Sequence, residues 1–282
     1  MQTRRDIIKC GAGLAAIIAA GQAPAAIVRS MMAARNAMSV NKSGQPAEEY
    51  WGLCFTAEEA GSTVGMVKYG SPKEITLLSS TDGNTWNVFT VGETTITLAN
   101  VGDKVWLKAG EGGNANAIGG GNISRNQFSL SGIVSVSGEI QSLINGSELS
   151  FTVPIASCFR YLFSGCSSLR SASGLKLSAT TLTSLCYSSL FYNCTSLENS
   201  PIMPSVQFTS RCFERMFWGC SSLSRIVCEF DGWTGNVTDA FTNWVTDVAP
   251  TGTFVCPAAL GTNSSITRGT SYCPTGWTVV NT

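Results

Sequence analysis

A segment of twelve residues recurs three times in the second half of the chain, and it constrains the fold more than any other feature of the sequence. The copies share the frame C-[FY]-x-x-[LM]-F-x-[GN]-C-[ST]-S-L. They start at Cys158, Cys186 and Cys212, so that successive copies are 28 and then 26 residues apart. Repeats of this length are typical of solenoids, in which each coil buries its apolar face against the next coil. The frame therefore predicts an open, stacked array.

The frame also indicates how one coil is built. Its apolar residues fall at i, i+1, i+4 and i+5, a spacing that favours a short helix with one phenylalanine turned toward a common core. The C-[ST]-S-L end then leads into a short strand whose leucine points the same way in every coil. We therefore expect a narrow parallel sheet along one side of the array. The phenylalanines are Phe163, Phe191 and Phe217, the leucines are Leu169, Leu197 and Leu223, and a degenerate fourth unit has Val237, Phe241 and Trp244 in the aromatic places.

Residues 43–149 follow a different pattern, after a polar hinge at residues 42–46. Short runs of alternating apolar and polar residues are separated by Gly, Asn and Asp, which predicts an antiparallel, β-sandwich-like module. Its clearest hairpin turn is at Asp82 and Gly83. The stretch 111–122 is rich in Gly and Asn but lacks the GxxxxGK[ST] lysine of a phosphate-binding loop, so we expect a long surface loop there.

The composition removes many catalytic mechanisms. The chain has 282 residues and no histidine, which excludes Ser-His-Asp and Cys-His hydrolysis and every histidine-ligated metal site. Only 13% of the residues are charged, so Ser, Thr, Asn and Gly must cover much of the surface. Lys and Arg do not cluster after residue 40, and nucleic acid is therefore not an expected partner. We expect no enzyme, no cofactor and no metal.

Six of the 11 cysteines occupy equivalent places in the three copies. The chain contains no C-x-x-C, and the spacing within the frame does not fit zinc. The favoured interpretation is a ladder of buried thiols that fill small spaces in the core. Near the C-terminus, Cys228, Cys256 and Cys273 leave open whether an oxidising environment forms a disulfide.

Carboxylates are the remaining candidates for catalysis, because a glycosidase needs two carboxyl groups that face one cleft. Nothing in the sequence brings any two of them together, and surface positions are their expected place. The candidates are Glu48, Glu49, Glu58, Glu59, Asp231 and Asp239.

Three aromatic residues fall at variable positions in the frame: Tyr187, Tyr192 and Trp218. Aromatic faces next to Ser and Thr hydroxyl groups suit sugars or protein loops. We therefore name these three residues as the candidate ligand surface of the repeats.

The N-terminal segment has its own chemistry. Residues 1–40 carry five basic residues against one acidic residue, a net charge of +4, and the rest of the chain carries −4. Arg4, Arg5 and Lys9 precede an Ala- and Gly-rich apolar run and a small-x-small site at residues 23–25, a pattern that resembles a twin-arginine export signal. After Pro24, Ile27 and Met31 recur at helical spacing, with Arg29 and Arg35 off that stripe. Such a helix packs either on its own domain or in the groove of a partner.

The F-x-x-C-x-x-L core of the frame resembles the leucine-rich repeats of BspA-like (Treponema pallidum type) surface proteins. It stands here as Phe163/Cys166/Leu169, Phe191/Cys194/Leu197 and Phe217/Cys220/Leu223. The resemblance covers about residue 150 to the end. It implies a leucine-rich-repeat solenoid that adheres to surfaces and interacts with other molecules. The fold expected for the whole chain is mainly β with short helices.

The opening residues, MQTRRDIIKCGAGLAAIIAAG and APAAIVRSM, resemble the start of virion proteins from crAss-like and related tailed phages of gut Bacteroidales. Together, the two resemblances imply a phage virion protein of the head or tail fibre or decoration type, present in the virion as a homo-oligomer. Residues 1–42 would anchor it to other virion proteins, 43–149 would form the β module, and 150–282 would display the repeats to host polysaccharide or protein. The alternative is a bacterial adhesin that the twin-arginine route exports to the cell surface or periplasm. The predicted anchor residues are Arg4, Arg5, Lys9, Ile27, Met31 and Arg35.

Overall fold

The structure, a computed structural model, describes residues 52–145, 153, 155–233 and 237–282. All six predicted anchor residues lie outside these ranges, as does the predicted module boundary between residues 149 and 150. The chain from Glu49 to Thr282 forms one compact unit. The part of the chain that the structure describes contains no helix capable of spanning a bilayer.

The prediction of a mainly β fold is confirmed in the described residues. The two α-helices there have four residues each, α1 Ser142–Asn145 and α2 Val237–Ala240, and a 3₁₀-helix spans Ala258–Leu260. The strands are β1 Leu53–Ala57, β2 Ser62–Tyr69, β3 Leu77–Ser80, β4 Asn87–Phe89, β5 Thr95–Leu98, β6 Lys104–Ala109, β7 Arg125–Ser131, β8 Val134–Glu139, β9 Leu169–Lys176, β10 Asn199–Met203, β11 Arg225–Cys228, β12 Thr253–Cys256 and β13 Thr278–Asn281.

Most of these strands form one ten-stranded sheet in the order β13-β12-β11-β10-β9-β8-β1-β6-β3-β4. β8 is antiparallel to β1 on one side and parallel to β9 on the other, so the sheet changes character at this strand. From β8 to β13 all neighbours are parallel, whereas from β8 to β4 all are antiparallel. One sheet thus contains strands from both predicted modules.

The predicted turn at Asp82 and Gly83 is confirmed, because β3 and β4 pair as an antiparallel hairpin around it. Asp82 Oδ1 accepts hydrogen bonds from the backbone N–H groups of Asn84 and Thr85, at 2.8 and 2.7 Å. These bonds stabilise the carboxylate and hold the pKa of Asp82 well below its ordinary value. Gly83 has a φ of 75°, which glycine adopts without strain.

A second sheet, with strand order β5-β2-β7, packs on the first through aromatic rings. The ring centroid of Phe55 in β1 lies 4.9 Å from that of Phe128 in β7, and Phe128 stacks on Phe163 at 5.0 Å. The stack continues from Phe163 to Phe191 at 5.3 Å and from Phe191 to Phe217 at 5.7 Å. The core of the antiparallel region therefore runs without a break into the core of the repeats.

Each repeat contains a run of turns where the sequence analysis predicted a short helix, so that prediction is wrong. The runs lie one above another at residues 156–165, 184–193, 210–219 and 241–247, and we call them the turn stack. Within a run, Leu162 N–H donates to Phe159 C=O, three residues back. The next residue, Phe163, donates instead to Leu190 C=O in the following coil, at 2.9 Å. Alternate N–H groups thus close turns and join coils.

The helix prediction failed because two geometries share its apolar spacing. Buried pairs at i, i+1, i+4 and i+5 fit an α-helix, but they equally fit consecutive turns that repeat every four residues. The first run has positive φ at residues 157, 161 and 165, which no α-helix permits. The [GN] position of the frame, occupied here by Gly165, Asn193 and Gly219, was the sequence feature that indicated turns, since Gly and Asn favour positive φ.

Candidate ligand-binding surface

The structure separates the three predicted surface aromatics. Tyr187 is fully buried and stacks between Phe159 and Phe213, with centroids 5.6 and 5.7 Å away. This burial raises the pKa of Tyr187 well above its ordinary value. The assignment of Tyr187 to a ligand surface is therefore wrong, because its ring fills a core position of the frame.

Tyr192 and Trp218 lie in an exterior column of partly exposed side chains. Their rings stack with centroids 6.3 Å apart, and the ring of Tyr161 meets Tyr192 edge to face, also at 6.3 Å. Neighbouring coils thus place three aromatic rings side by side at the surface. A row of this kind offers continuous aromatic surface to a ligand that extends along the array.

Arginine side chains accompany these rings. The guanidinium carbon of Arg125 lies 4.3 Å from the ring centroid of Tyr69 and 5.1 Å from that of Tyr161. Arg160 lies 5.0 Å from the Tyr161 centroid. Arg215 lies 5.2 Å from the Trp218 centroid. We call this set the aromatic–arginine strip; it comprises Tyr69, Arg125, Arg160, Tyr161, Tyr192, Arg215 and Trp218.

The turn stack decides which side chains reach the strip. Cys158, Phe159, Leu162 and Phe163 are fully buried, so residues point inward and outward in alternating pairs. Tyr161 lies in an outward pair of the first coil, where it is partly exposed and has a φ of 60°. Arg215 occupies the same frame position in the third coil, with a φ of 52°. The same position of the turn run thus supplies two strip residues, one from the first coil and one from the third.

The Gly- and Asn-rich segment 111–122 forms backbone hydrogen bonds with the first coil. Gly119 N–H donates to Cys158 C=O at 2.8 Å, and Gly120 N–H donates to Arg160 C=O at 3.1 Å. A Cβ on Gly119 would collide with the Arg160 carbonyl, so only glycine permits this approach. The predicted surface loop therefore also holds the backbone of a strip residue.

A buried carboxylate lies below the third-coil end of the strip. The side chain of Glu214 is 4% exposed, and its Oε1 accepts from Arg211 at 2.7 Å and lies 3.9 Å from Arg215 Nε. The hydrogen bond and charge of Glu214 raise the pKa of Arg211. Arg211 is therefore the principal partner of this carboxylate, and Arg215 is only loosely paired.

Sequence reasoning missed Tyr69, Arg125, Tyr161, Arg160 and Arg215. Tyr69 and Arg125 are opposite each other on β2 and β7, a register that the sequence does not reveal. Tyr161 and Arg215 occupy a frame position that is buried in the second coil, where it is Ser189. The indication available in the sequence was that this position holds a large side chain, Tyr161 or Arg215, in two copies and a serine in the other.

The predicted cysteine ladder is present in the described residues, where the six cysteines of the frame are all buried free thiols. Cys166, Cys194 and Cys220 donate from Sγ to the carbonyls of Phe128, Phe163 and Phe191, each in the preceding layer, at 3.3, 2.9 and 3.0 Å. Burial raises the pKa of Cys166 to about 12. Cys228, Cys256 and Cys273 are also free thiols, so the disulfide left open by the sequence is not formed in this structure.

Two of the candidate carboxylates, Glu58 and Asp239, have structural partners in the described residues. Glu58 forms an ion pair with Arg170 at 3.4 Å, and Asp239 accepts a hydrogen bond from Ser210 at 2.6 Å. Within the described ranges, no three Cys, Asp or Glu side chains come together as a metal site would require.

In comparisons with known proteins, no family model, no curated protein and no solved structure matches the chain.

Proposed function

We propose that this chain is a non-enzymatic bacteriophage virion protein, a head or tail fibre or a decoration protein. Residues 1–42 anchor it to other virion proteins, and a leucine-rich-repeat solenoid of the BspA-like type adheres to the host surface. The stacking of coils at the period of the sequence frame and the parallel row of short strands support this solenoid assignment. A β-sandwich-like module precedes the solenoid, and its two sheets packed through Phe55 and Phe128 support that assignment.

The aromatic–arginine strip is the observation that carries the adhesive function. Tyr161, Tyr192 and Trp218 present rings in neighbouring coils, with centroids 6.3 Å apart at each step. Because sugar rings pack their C–H faces on aromatic rings, a row of such rings suits a polysaccharide better than a compact small molecule. Each contact is weak alone, and many copies on one particle raise the effective concentration of every further contact.

Binding of the full-length protein to host polysaccharide tests this adhesive role. Replacing Tyr192 and Trp218 together by alanine removes two neighbouring rings of the row, and we expect binding to immobilised surface polysaccharide of Bacteroidales cells to fall at least tenfold. Trp86→Ala is the matched control, because Trp86 also carries a cation over its ring, Lys108 at 4.0 Å, but it lies outside the strip. Equal binding by the double variant and wild type would remove the strip from the proposal.

Deletion of residues 1–42 tests the anchoring role. Since the basic residues Arg4, Arg5, Lys9 and Arg35 and the stripe with Ile27 and Met31 lie in this segment, we expect the truncated protein to remain folded but to be lost from purified particles. Quantitative mass spectrometry of the particles measures its copy number. Recovery of the truncated protein at the normal copy number contradicts the anchor.

A bacterial adhesin exported by the twin-arginine route is the second candidate function. The order of Arg4 and Arg5, an apolar run and a small-x-small site at residues 23–25 favours it. The intact mass of the native protein separates the two functions. Loss of about the first 25 residues supports export, whereas a retained segment in purified particles supports the virion protein.

A further inference from the structure

Two of the three strip arginines have no ion pair among the residues that the structure describes, and the third has only a loose one. In the part of the chain that the structure describes, no carboxylate lies within 4.0 Å of Arg125 or Arg160. Among the described residues, the acceptors for Arg125 are two neutral oxygens, Asn122 C=O at 2.6 Å and Gln127 Oε1 at 3.0 Å. Glu214, the carboxylate nearest to Arg215, binds Arg211 more closely. The strip therefore has excess positive charge on a chain whose net charge is zero.

Arg160 has a buried donor, its Nε, that lacks a hydrogen-bond partner in the described part of the chain. The Tyr161 ring, 5.0 Å from its guanidinium carbon, also has the guanidinium of Arg125 at 5.1 Å. Two like charges beside one ring repel each other, so an anion between them would relieve the repulsion as well as accept hydrogen bonds.

Stacking on an aromatic ring also prepares an arginine to bind an anion. The ring restricts the plane of the guanidinium, while the N–H donors remain at its edge. These edge donors match the two oxygens of a carboxylate or sulfate in a bidentate hydrogen-bonded pair. The strip therefore combines aromatic rings, on which sugar rings can pack, with guanidinium groups, which can pair with acidic groups.

We infer that the strip binds an acidic polysaccharide, in which sugar rings pack on Tyr192 and Trp218 while carboxylate or sulfate groups pair with Arg160 and Arg215. This inference rests on the proposed adhesive function and names the chemical class of its ligand. A single-stranded nucleic acid also combines phosphates with stackable rings, but it needs a groove of positive charge along its whole length. The zero net charge and the pI near 6.3 favour the glycan.

Polygalacturonate and its fully methyl-esterified form provide a matched pair of probes, because esterification removes the charge and keeps the sugar backbone. We expect the full-length protein, immobilised at high density, to bind polygalacturonate at least tenfold more tightly than the ester. Added salt from 50 to 500 mM is expected to weaken only the charged interaction, since screening shortens the range of attraction between exposed charges. Chondroitin sulfate and its desulfated form repeat the comparison for sulfate.

Arginine variants then locate the charge. Arg160→Gln removes a charge that has no ion pair among the described residues, and Arg215→Gln removes one whose loose partner, Glu214, keeps its closer pair with Arg211. We expect each variant to weaken polygalacturonate binding about tenfold, the loss of one charge-assisted pair. Arg160→Lys keeps the charge but loses the fork, so its binding should be intermediate. Arg225→Gln is the control, because Arg225 is exposed on β11 outside the strip. Melting temperatures of all variants check that they are folded.

Two results overturn the inference and leave the proposed function standing. One is equal binding of the charged and esterified polymers, with loss only in the Tyr192→Ala, Trp218→Ala double variant. The other is binding of host cells without any binding of acidic polymers. Tighter binding of oligo-dT than of polygalacturonate contradicts both the proposal that the ligand is a polysaccharide and the inference that it is an acidic one. Failure to bind host cells at all, with acidic polymers still bound, contradicts the proposed function instead.

Discussion

The antiparallel region, residues 52–139, and the turn stack use positive φ in different ways. In the antiparallel region, every described residue with positive φ is a glycine, such as Gly83 in the hairpin turn. In the turn stack the same conformation is adopted by nine other residues, including Tyr161, Leu185 and Arg215. A single left-handed residue with a side chain costs about 1 kcal/mol or more. The hydrogen bonds between coils must therefore stabilise the stack enough to maintain these conformations.

The difference shows where each region obtains its order. A hairpin is specified locally, because its turn residues and its strand pairs are close in sequence. A coil of the turn stack bonds to residues 25 or 27 positions away in the next coil, as Phe191 does to Met216 and Phe217 to Trp244. The stack therefore depends on its neighbours, and the continuous ring column from Phe55 to Phe217 predicts that both regions unfold together.

Among the substitutions that test whether the two regions unfold together, Phe163→Ala is expected to have the largest effect on stability. Phe163 contacts Phe55 and Phe128 on one side and Phe191 on the other, so its removal opens a cavity where the regions join. We expect the free energy of unfolding to fall by about 3–5 kcal/mol and all probes to report one transition. Urea unfolding followed by circular dichroism and by tryptophan fluorescence measures both.

Phe89→Ala provides the control, since Phe89 is equally buried but lies on β4 at the far edge of the sheet. In one cooperative unit, both variants shift the whole transition. Two separate transitions, with the fluorescence of the repeat residue Trp244 unaffected by Phe89→Ala, would show that the regions fold independently.

Cys194→Ser is expected to have the next largest effect. The Cys194 thiol is fully buried and donates to Phe163 C=O at 2.9 Å. The serine hydroxyl reaches less far than the thiol and makes a poorer hydrogen bond to this buried carbonyl, which should lower the free energy of unfolding by about 1–3 kcal/mol. Thermal unfolding measures it. Because the six frame cysteines are free thiols, reductant should hardly change the melting temperature of the wild type; a large fall would indicate disulfides.

The same thiols predict a loss of stability in alkali. Burial raises the pKa of Cys166 from 9.0 to about 12. The unfolded thiol ionises above pH 9 while the folded one stays protonated, so its contribution is complete below pH 9 and is lost as the pH rises toward 12. The loss is about 1.4 kcal/mol per pH unit for each such thiol. Between pH 8 and 10, Cys166→Ala should lose less stability than wild type, and equal losses would contradict the shift.

Sequence reasoning succeeded where the relevant spacing was short or strictly repeated. The Asp82-Gly83 hairpin, the mainly β fold and the stacked thiols followed from local turn chemistry and from the period of the frame. It failed at Phe159 to Phe163, because the apolar pattern of a short helix and that of four-residue turns are the same over one coil. The burial of Tyr187 was missed for a related reason. Its frame position is [FY], a core position, although tyrosine can also stand at a surface.

The strip could be predicted only in part. Tyr192 and Trp218 follow from the frame, since equivalent positions in stacked coils are neighbours. Arg125 and Tyr69 come from β7 and β2, whose pairing depends on the whole antiparallel sheet. The cation–π contacts between these regions therefore depend on long-range register, which one sequence does not specify.

Ser189→Gly has the smallest expected effect and tests directly whether positive φ strains the turn stack. Ser189 has a φ of 55°, and its buried hydroxyl has no hydrogen-bond partner among the described residues. Glycine relieves both penalties, so we expect a gain of about 1 kcal/mol, reduced by the greater freedom of the unfolded chain. The adjacent Ser188 has no positive φ, and its hydroxyl lies 3.5 Å from Glu214, so Ser188→Gly should destabilise by about as much. Chemical denaturation of the two variants side by side measures the difference. If both lose stability equally, positive φ is not a source of strain in the turn stack, and the hydrogen bonds between coils have no such cost to offset.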